Sequence, residues 1–228
     1  VAVAGRVAGL RTDVYVPSTA PADKVRRIRD AGATLHLVDG DYEDAARAAR
    51  TAAGRAGLPF VPAFDHPDVV CGQGTATLEV LADEPRCDAV YVAVGGGGLI
   101  AGTALAVDGR ARVVGAEPSG IPTMAAALEA GFPVEVGVDS LTASALGARR
   151  TGELNLEIVT GRDVVVVAVE DEDILAARDL LWEEHRVAVE PAGAAALAGL
   201  RARWRAGQET AQLPCVVLCG ANSGWHAE

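Results

Sequence analysis

Helical and strand-like hydrophobic patterns alternate along this chain almost without interruption. The opening VAVAGRVAGL reads as a helix already under way, with no capping residue ahead of it and Gly9 placed to stop it. TDVYV (12–16) predicts a strand, and PADKVRRIRDAG (21–32) a helix that begins with proline and ends with glycine, as helix ends prefer. ATLHLV (33–38) follows as a strand and DYEDAARAARTAAGRAG (41–57) as a helix. Three prolines then break the rhythm in LPFVPAFDHPD (58–68), the expected boundary between a small N-terminal lobe, 1–58, and a larger domain, 59–228.

Beyond that boundary the pattern predicts a helix near Thr75–Leu81 and a strand DAVYVAV (88–94). The glycine run Gly95-Gly96-Gly97-Gly98 comes next, then a helix to about Val107 and a strand RVVGAE (112–117). VVVVAV (164–169) has no polar alternation, which predicts a strand buried in the sheet. The acidic group Glu170-Asp171-Glu172-Asp173 is read as carboxylates favoured at the positive end of a helix through Arg186, in preference to a metal site. A small-residue helix PAGAAALAGL (191–200) and a last strand PCVVLC (214–219) complete the pattern. Strands and helices in this alternation give an α/β fold, mostly parallel twisted sheets covered by helices.

Composition narrows the function more than the fold. With 20 basic against 31 acidic residues the net charge is -11, which repels nucleic-acid phosphates and anionic membrane surfaces. No apolar run approaches the roughly 20 residues of a membrane span, and nothing at the start resembles a signal peptide. Cys71, Cys87, Cys215 and Cys219 show neither zinc-site spacing nor the density of a disulfide scaffold, so a cytoplasmic location is expected. The only methionine is Met124, the only lysine is Lys24, and position 1 is Val, so the sequence is expected to lack its true N-terminal part.

The glycine run carries the chemistry. A strand that stops at consecutive glycines and turns into a helix leaves several N–H groups unpaired and pointing one way, a geometry that binds anions. A tight turn with nothing bound accounts for one or two glycines better than for a run of Gly95 to Gly98. No Lys-Ser or Lys-Thr pair follows, which excludes a P-loop. Gly96-x-Gly98-x-x-Ala101 does fit the relaxed dinucleotide fingerprint, with Glu117 about 20 residues on where a ribose-binding acid would stand.

Several segments in a fixed order resemble the PLP-dependent serine/threonine dehydratases of fold type II, the tryptophan-synthase-β-like enzymes. They are VYVPSTAPADKVRRIRDAGA (15–33), FDHPDVVCGQGTATLEVL (64–81), VAVGGGGLIAG (92–102), VVGAEPSG (113–120), VEPAGAAALAGL (189–200) and VVLCGANSG (216–224). The resemblance runs essentially end to end, and GGGGLIAG with a C-terminal CGxN is specific to the dehydratase branch. It implies pyridoxal 5'-phosphate as cofactor, its phosphate held by main-chain N–H groups of Gly95, Gly96, Gly97, Gly98 and Leu99, and Cys219 against the pyridine nitrogen. A neutral group there would leave the ring nitrogen largely unprotonated and favour β-elimination. Taken without Gly220-Ala221-Asn222 beside it, Cys219 reads as a small residue ending a core strand.

The resemblance also implies features this sequence does not show. The family's Schiff-base lysine and its Ser/Ala-Gly-Asn-His segment have no counterpart, and Lys24 lies on an Arg-rich helix face where a solvated charge is expected, so no catalytic residue is assigned. Thr123 stands where metal-binding members have an acid after the Glu-Pro-Ser of residues 117–119, so no metal site is expected. Ser140 takes the place of a glycine beside the cofactor ring, which bears on substrate choice. His36, His66, His185 and His226 read as structural or surface residues, and Glu190 as a dipole-favoured carboxylate opening a helix that also has a chance of facing the cofactor.

The expected activity is α,β-elimination of L-threonine or L-serine to a 2-oxo acid and ammonia by the complete enzyme, a homodimer; this chain alone is expected to be inactive. Two alternatives stay open: a truncated or degenerate chain that binds PLP or another phosphate without catalysis, and a nucleotide-binding oxidoreductase.

Overall fold

The computed structural model describes residues 1–220. The chain divides into two compact units, one of Val1–Pro62 and one from Ala63 to the end of the described residues. In the first, α1 (Ala2–Val7), β1 (Asp13–Pro17), α2 (Ala22–Asp30), β2 (Thr34–Val38) and α3 (Tyr42–Ala56) follow one another. The two strands pair in parallel, Asp13 opposite Thr34 through Pro17 opposite Val38. Asp41 starts α3 with a capping box, accepting from the N–H groups of Glu43 and Asp44, and Gly57 stops it in the left-handed region at φ 65°. The order of helices and strands in this unit is the one the alternating pattern predicts, with full cap chemistry at α3 alone.

The second unit contains α4 (Pro67–Asp83), β3 (Ala89–Ala93), α5 (Gly98–Val107), β4 (Arg112–Pro118), α6 (Thr123–Ala130), α7 (Ala143–Leu146), α8 (Glu153–Thr160), β5 (Val164–Val169), α9 (Asp171–His185), α10 (Pro191–Arg205) and β6 (Pro214–Val216). Its four strands form one sheet in the order β5-β4-β3-β6, all neighbours parallel. Successive residues of β3 face opposite layers. Val90, Val92 and Val94 enter a core with Val70, Leu81, Ile100, Ala104, Leu156 and Val159 from α4, α5 and α8. Ala89, Tyr91 and Ala93 face the other side, where α9 and α10 supply Ile174, Ala177, Leu181 and a row of alanines. Helices on both faces explain why β3 is an unbroken apolar run.

Small residues set how closely these layers approach. A Cβ on Gly199 of α10 would stand 2.8 Å from the Ala116 Cβ of β4, so only glycine lets the helix lie this low on the sheet. At the far end of β6, the Asp88 carboxylate accepts from the N–H groups of Gln212 at 2.7 Å and Leu213 at 2.9 Å. These bonds hold the Asp88 carboxyl below its usual range and staple a strand of three residues to β3.

The structure corrects two expectations. β5 is an edge strand whose first four valines are half-buried, not a strand buried within the sheet; an apolar run alone does not distinguish edge from centre. Helix α4 begins at Pro67, ahead of the expected Thr75, because Pro67 occupies the first helical position where its missing N–H costs nothing. Helices α6, α7 and α8 were not anticipated.

Candidate functional site

Along the chain, β3 leads to β4 and β5 on one side, and β6 then returns to pair with β3 on the other. The connections therefore diverge between β3 and β6, and in open parallel sheets the crevice at that switch point, beyond the carboxyl ends of the strands, is where ligands bind. Ala89 pairs with Pro214 and Tyr91 with Val216, and the Val217 N–H donates to the Tyr91 carbonyl. Gly95–Gly98 and Cys219 thus leave adjacent strands at the same end of the sheet.

The glycine run is oriented by its carbonyls. The Thr123 hydroxyl donates to the Gly95 carbonyl at 2.7 Å. The Gly96 carbonyl accepts from the Gly152 N–H at 3.1 Å, the Thr151 hydroxyl at 3.2 Å and the Asn155 amide at 2.8 Å. The Gly97 carbonyl accepts from the Ala101 N–H at 3.0 Å inside the first turn of α5. Because a trans peptide sets its N–H opposite its C=O, anchoring these carbonyls turns the N–H groups of Gly96, Gly97 and Gly98 the other way. Together with that of Leu99 they have no acceptor among the described residues, and no side chain caps α5 there. The positive end of the helix dipole adds to the attraction for an anion.

Gly96 and Gly97 are required sterically. Gly97 has φ +92°, and a Cβ on it would stand 2.7 Å from the Met124 methyl and 2.8 Å from the Thr151 hydroxyl. A Cβ on Gly96 would stand 2.3 Å from the Phe64 ring. One on Gly95 would press on Leu146, and one on Gly98 on Phe64 and Gln73. Leu99 contributes its N–H to the first turn while its side chain packs against the core.

Across the crevice, Cys219 is half-buried and packs beside the cluster of α9 and α10. Burial, with the neighbouring Glu190 carboxylate, pushes its thiol above the ordinary range, so it is uncharged at neutral pH. The backbone is fixed here as well: the Glu190 N–H donates to the Gly220 carbonyl at 3.0 Å, and Gly220 sits at φ +88° with Glu190 Oε1 where a Cβ would go. Gly193 of α10 allows the Cys219 carbonyl to pass, 2.3 Å from where a Cβ would be. Glu190 opens α10 as its N-cap residue and is buried there. The rest of the CGxN segment lies outside the described residues, as does His226.

Glu117 is the penultimate residue of β4 but is not free to hold a ribose. It is fully buried, and its two oxygens accept from the N–H groups of Met124 at 2.9 Å and Ala125 at 3.0 Å, starting α6. Burial outweighs these bonds and pushes its carboxyl up to about 6. The geometry therefore removes the acid that the dinucleotide alternative needs. Ser140 donates to Asp171 at 2.6 Å and lies 2.8 Å from the Thr142 hydroxyl, tying its loop to the start of α9. In the acidic group, Glu170 accepts from Ser119, and Asp173 pairs with Arg205 at 2.7 Å. His66 caps α4, His36 lies 2.8 Å from Asp13 and stacks on Tyr15, and His185 ends α9. Lys24 lies on α2 of the first unit.

Sequence reasoning missed the supports of the loop. Thr151 and Asn155 are buried, and Asp65 starts α8 by accepting from the N–H groups of Glu153 and Leu154, both at 3.2 Å. The signal available was an acid and a Gly-Glu pair 88 residues apart, which no local pattern links.

Comparison with known proteins agrees with this geometry. The family model described as pyridoxal-phosphate dependent enzyme matches residues 1–220. The chain is 37% identical over 97% of its length to an L-threonine ammonia-lyase of Geobacter sulfurreducens, covering 56% of that protein. It is 31% identical over 99% of its length to the biosynthetic L-threonine dehydratase IlvA of Pasteurella multocida, covering 45% of it. The chain thus spans about half the length of these curated relatives. The crystal structure of a threonine deaminase from T.th. superimposes with a TM-score of 0.89 at 31% identity, over 99% of this chain and 74% of that one. The glycine cradle, the switch-point crevice and these matches lead to one statement: the chain belongs to the family of pyridoxal-phosphate dependent enzymes.

Proposed function

We propose that this chain carries the phosphate-binding part of an enzyme that removes water and then ammonia from L-threonine or L-serine, leaving a 2-oxo acid. The observation that carries the proposal is the uncharged thiol of Cys219 placed across the switch-point crevice from an outward-turned run of N–H groups. The residues fit pyridoxal 5'-phosphate: Gly95, Gly96, Gly97, Gly98 and Leu99 would hold its phosphate, and Cys219 would face its ring nitrogen. When bound, the cofactor supplies an electron sink for bonds breaking at the α-carbon of the substrate.

The chain's own residues set how that sink behaves. A thiol kept neutral by burial cannot hold a proton on the ring nitrogen as a carboxylate would, which moderates the sink and suits loss of a β-hydroxyl. Thr123, Thr151 and Asn155 keep the cradle's N–H groups aimed, so no reorganisation is required when the anion arrives. Ser140, held by Asp171, narrows the choice of hydroxy-amino acid. Lys24 is given no catalytic role.

The four free cysteines support a reducing cytoplasm, and no helix among the described residues is long and apolar enough to cross a membrane. The complete protein is proposed to be a homodimer without a nucleic-acid partner. The test is to assay the complete gene product with L-threonine and with L-serine, following 2-oxo acid and ammonia. Equal release of both products is expected. A protein that binds the cofactor yet yields no 2-oxo acid from either amino acid would refute the proposal.

A further inference from the structure

Helices α4 and α5 cross with their backbones in contact. A Cβ on Gly74 would stand 2.6 Å from the Gly102 carbonyl oxygen, and one on Gly102 would stand 2.4 Å from the Val70 carbonyl oxygen. A helix pair touching through glycine lies closer than the usual 8–10 Å between axes requires for side-chain packing. One position before Gly74 on α4, and one turn before Gly102 on α5, the same closeness brings Gln73 onto the start of α5. Its amide Nε2 lies 2.6 Å from where a Cβ on Gly98 would be.

Gln73 is half-buried, and its amide has no hydrogen bond among the described residues. The start of a helix presents N–H donors and no carbonyls. A further N–H donor beside such a row finds no acceptor among the described residues, and an anion bound at the start of α5 would supply one. The carbonyls that might have accepted from it, those of Gly95, Gly96 and Gly97, are already turned to Thr123, to Gly152, Thr151 and Asn155, and to Ala101.

We propose that Gln73 is a binding residue for the cofactor phosphate, its side-chain amide adding a donor from α4 to the main-chain set of the glycine run. The proposal rests on the glycine run being the phosphate site, and deepens it. The main-chain donors approach the anion along α5, whereas Gln73 reaches it from the flank. A phosphate oxygen held from two elements distinguishes a phosphorylated ligand from one that merely fits the crevice. A glutamine amide can also be turned end for end, and in that orientation Oε1 would accept from an N–H of α5 and serve only as a helix cap.

The two roles are separated on the apo form of the complete protein, titrated with pyridoxal 5'-phosphate and, separately, with pyridoxal. Gln73→Met keeps the length and removes the donor; Gln73→Glu replaces the donor with a charge that repels phosphate and suits a helix cap. With Gln73→Met, affinity for the phosphorylated ligand is expected to fall about tenfold and affinity for pyridoxal to stay unchanged. Gln73→Glu is expected to lose more of the first, again sparing the second, with the apo melting temperature no higher than wild type. Equal weakening toward both ligands would overturn the proposal, as would a Gln73→Glu protein that melts higher and still binds the phosphorylated ligand. A wild-type protein with no preference for the phosphorylated ligand would remove the phosphate site itself. Expected binding without 2-oxo acid formation would leave Gln73 in place and refute only the proposed reaction.

Discussion

The side-chain amide of Asn155 donates at 2.8 Å to the carbonyl of Gly96, 59 residues earlier in the chain. One helix turn of α8 thereby decides where a peptide plane of the glycine run points. Removing the donor in Asn155→Ala leaves Gly96 with two of its three partners. The substitution is expected to weaken cofactor binding several-fold and to cost about 1–2 kcal/mol of stability. Equilibrium dialysis and urea denaturation measure the two effects separately. Asn155→Asp, which sets a carboxylate against the carbonyl, is expected to be worse on both counts.

Gly97→Ala is expected to be the most damaging single methyl in the loop. The backbone at φ +92° costs a non-glycine residue about 1–3 kcal/mol, and the new methyl also meets Met124 and Thr151. A fall in the urea midpoint together with loss of cofactor binding checks this. An alanine enzyme with wild-type affinity would show that the N–H of Gly97 is not aimed at the phosphate.

Cys219→Ser keeps a neutral group in the segment that follows β6 and is expected to retain most of the activity. Cys219→Asp places a carboxylate beside the buried Glu190, where two like charges oppose each other. Elimination by that variant is expected to fall roughly tenfold or more, with stability dropping as pH rises and the new carboxyl ionises. Steady-state rates and melting curves at two pH values measure both.

Glu117 gives a pH signature independent of the cofactor. Its carboxyl is pushed up to about 6 from an ordinary 4.5, so between those values the folded state holds the proton and the unfolded state has lost it. Stability from this group is thus fully present below pH 4.5 and is lost as pH rises through about 6, a change on the order of 1–2 kcal/mol. Glu84, paired with Arg86, and Asp88 are shifted downward and act in the opposite sense. The measurement is therefore the difference in melting temperature between wild type and Glu117→Gln across pH 4 to 7.5. A pH-independent difference would contradict the buried-carboxyl account.

What could be read from the sequence was what is local. The strand that stops at Gly95, the capped start of α3 and the glycine-stopped α2 and α3 each announce themselves within a few residues. The prolines at 59–67 were read only as breakers, although Pro67 is also a helix-starting residue. Helix α8 begins on the carboxylate of Asp65, and Glu117 is engaged by the start of α6, contacts formed only after the chain has folded back on itself. Ser140 was singled out for its position, yet its partner Asp171 sits in an acidic run that looked merely favourable to a helix end.

The strand β6 has a consequence for how the protein is made. Its three residues pair with β3 across 125 positions of sequence, and just ahead of them Gln212 and Leu213 bond Asp88 from 124 and 125 positions away. Pairings of such high sequence separation form slowly, because the entropy of closing the loop is lost before the contact returns anything. Synthesis brings out the glycine run with β3, β4 and β5 before β6, so the thiol side of the crevice can be completed only after the residues of the cradle are present. Cofactor retention would therefore report completed folding, and a chain released before residue 213 would keep the N–H cradle but present the open edge of β3 to aggregation.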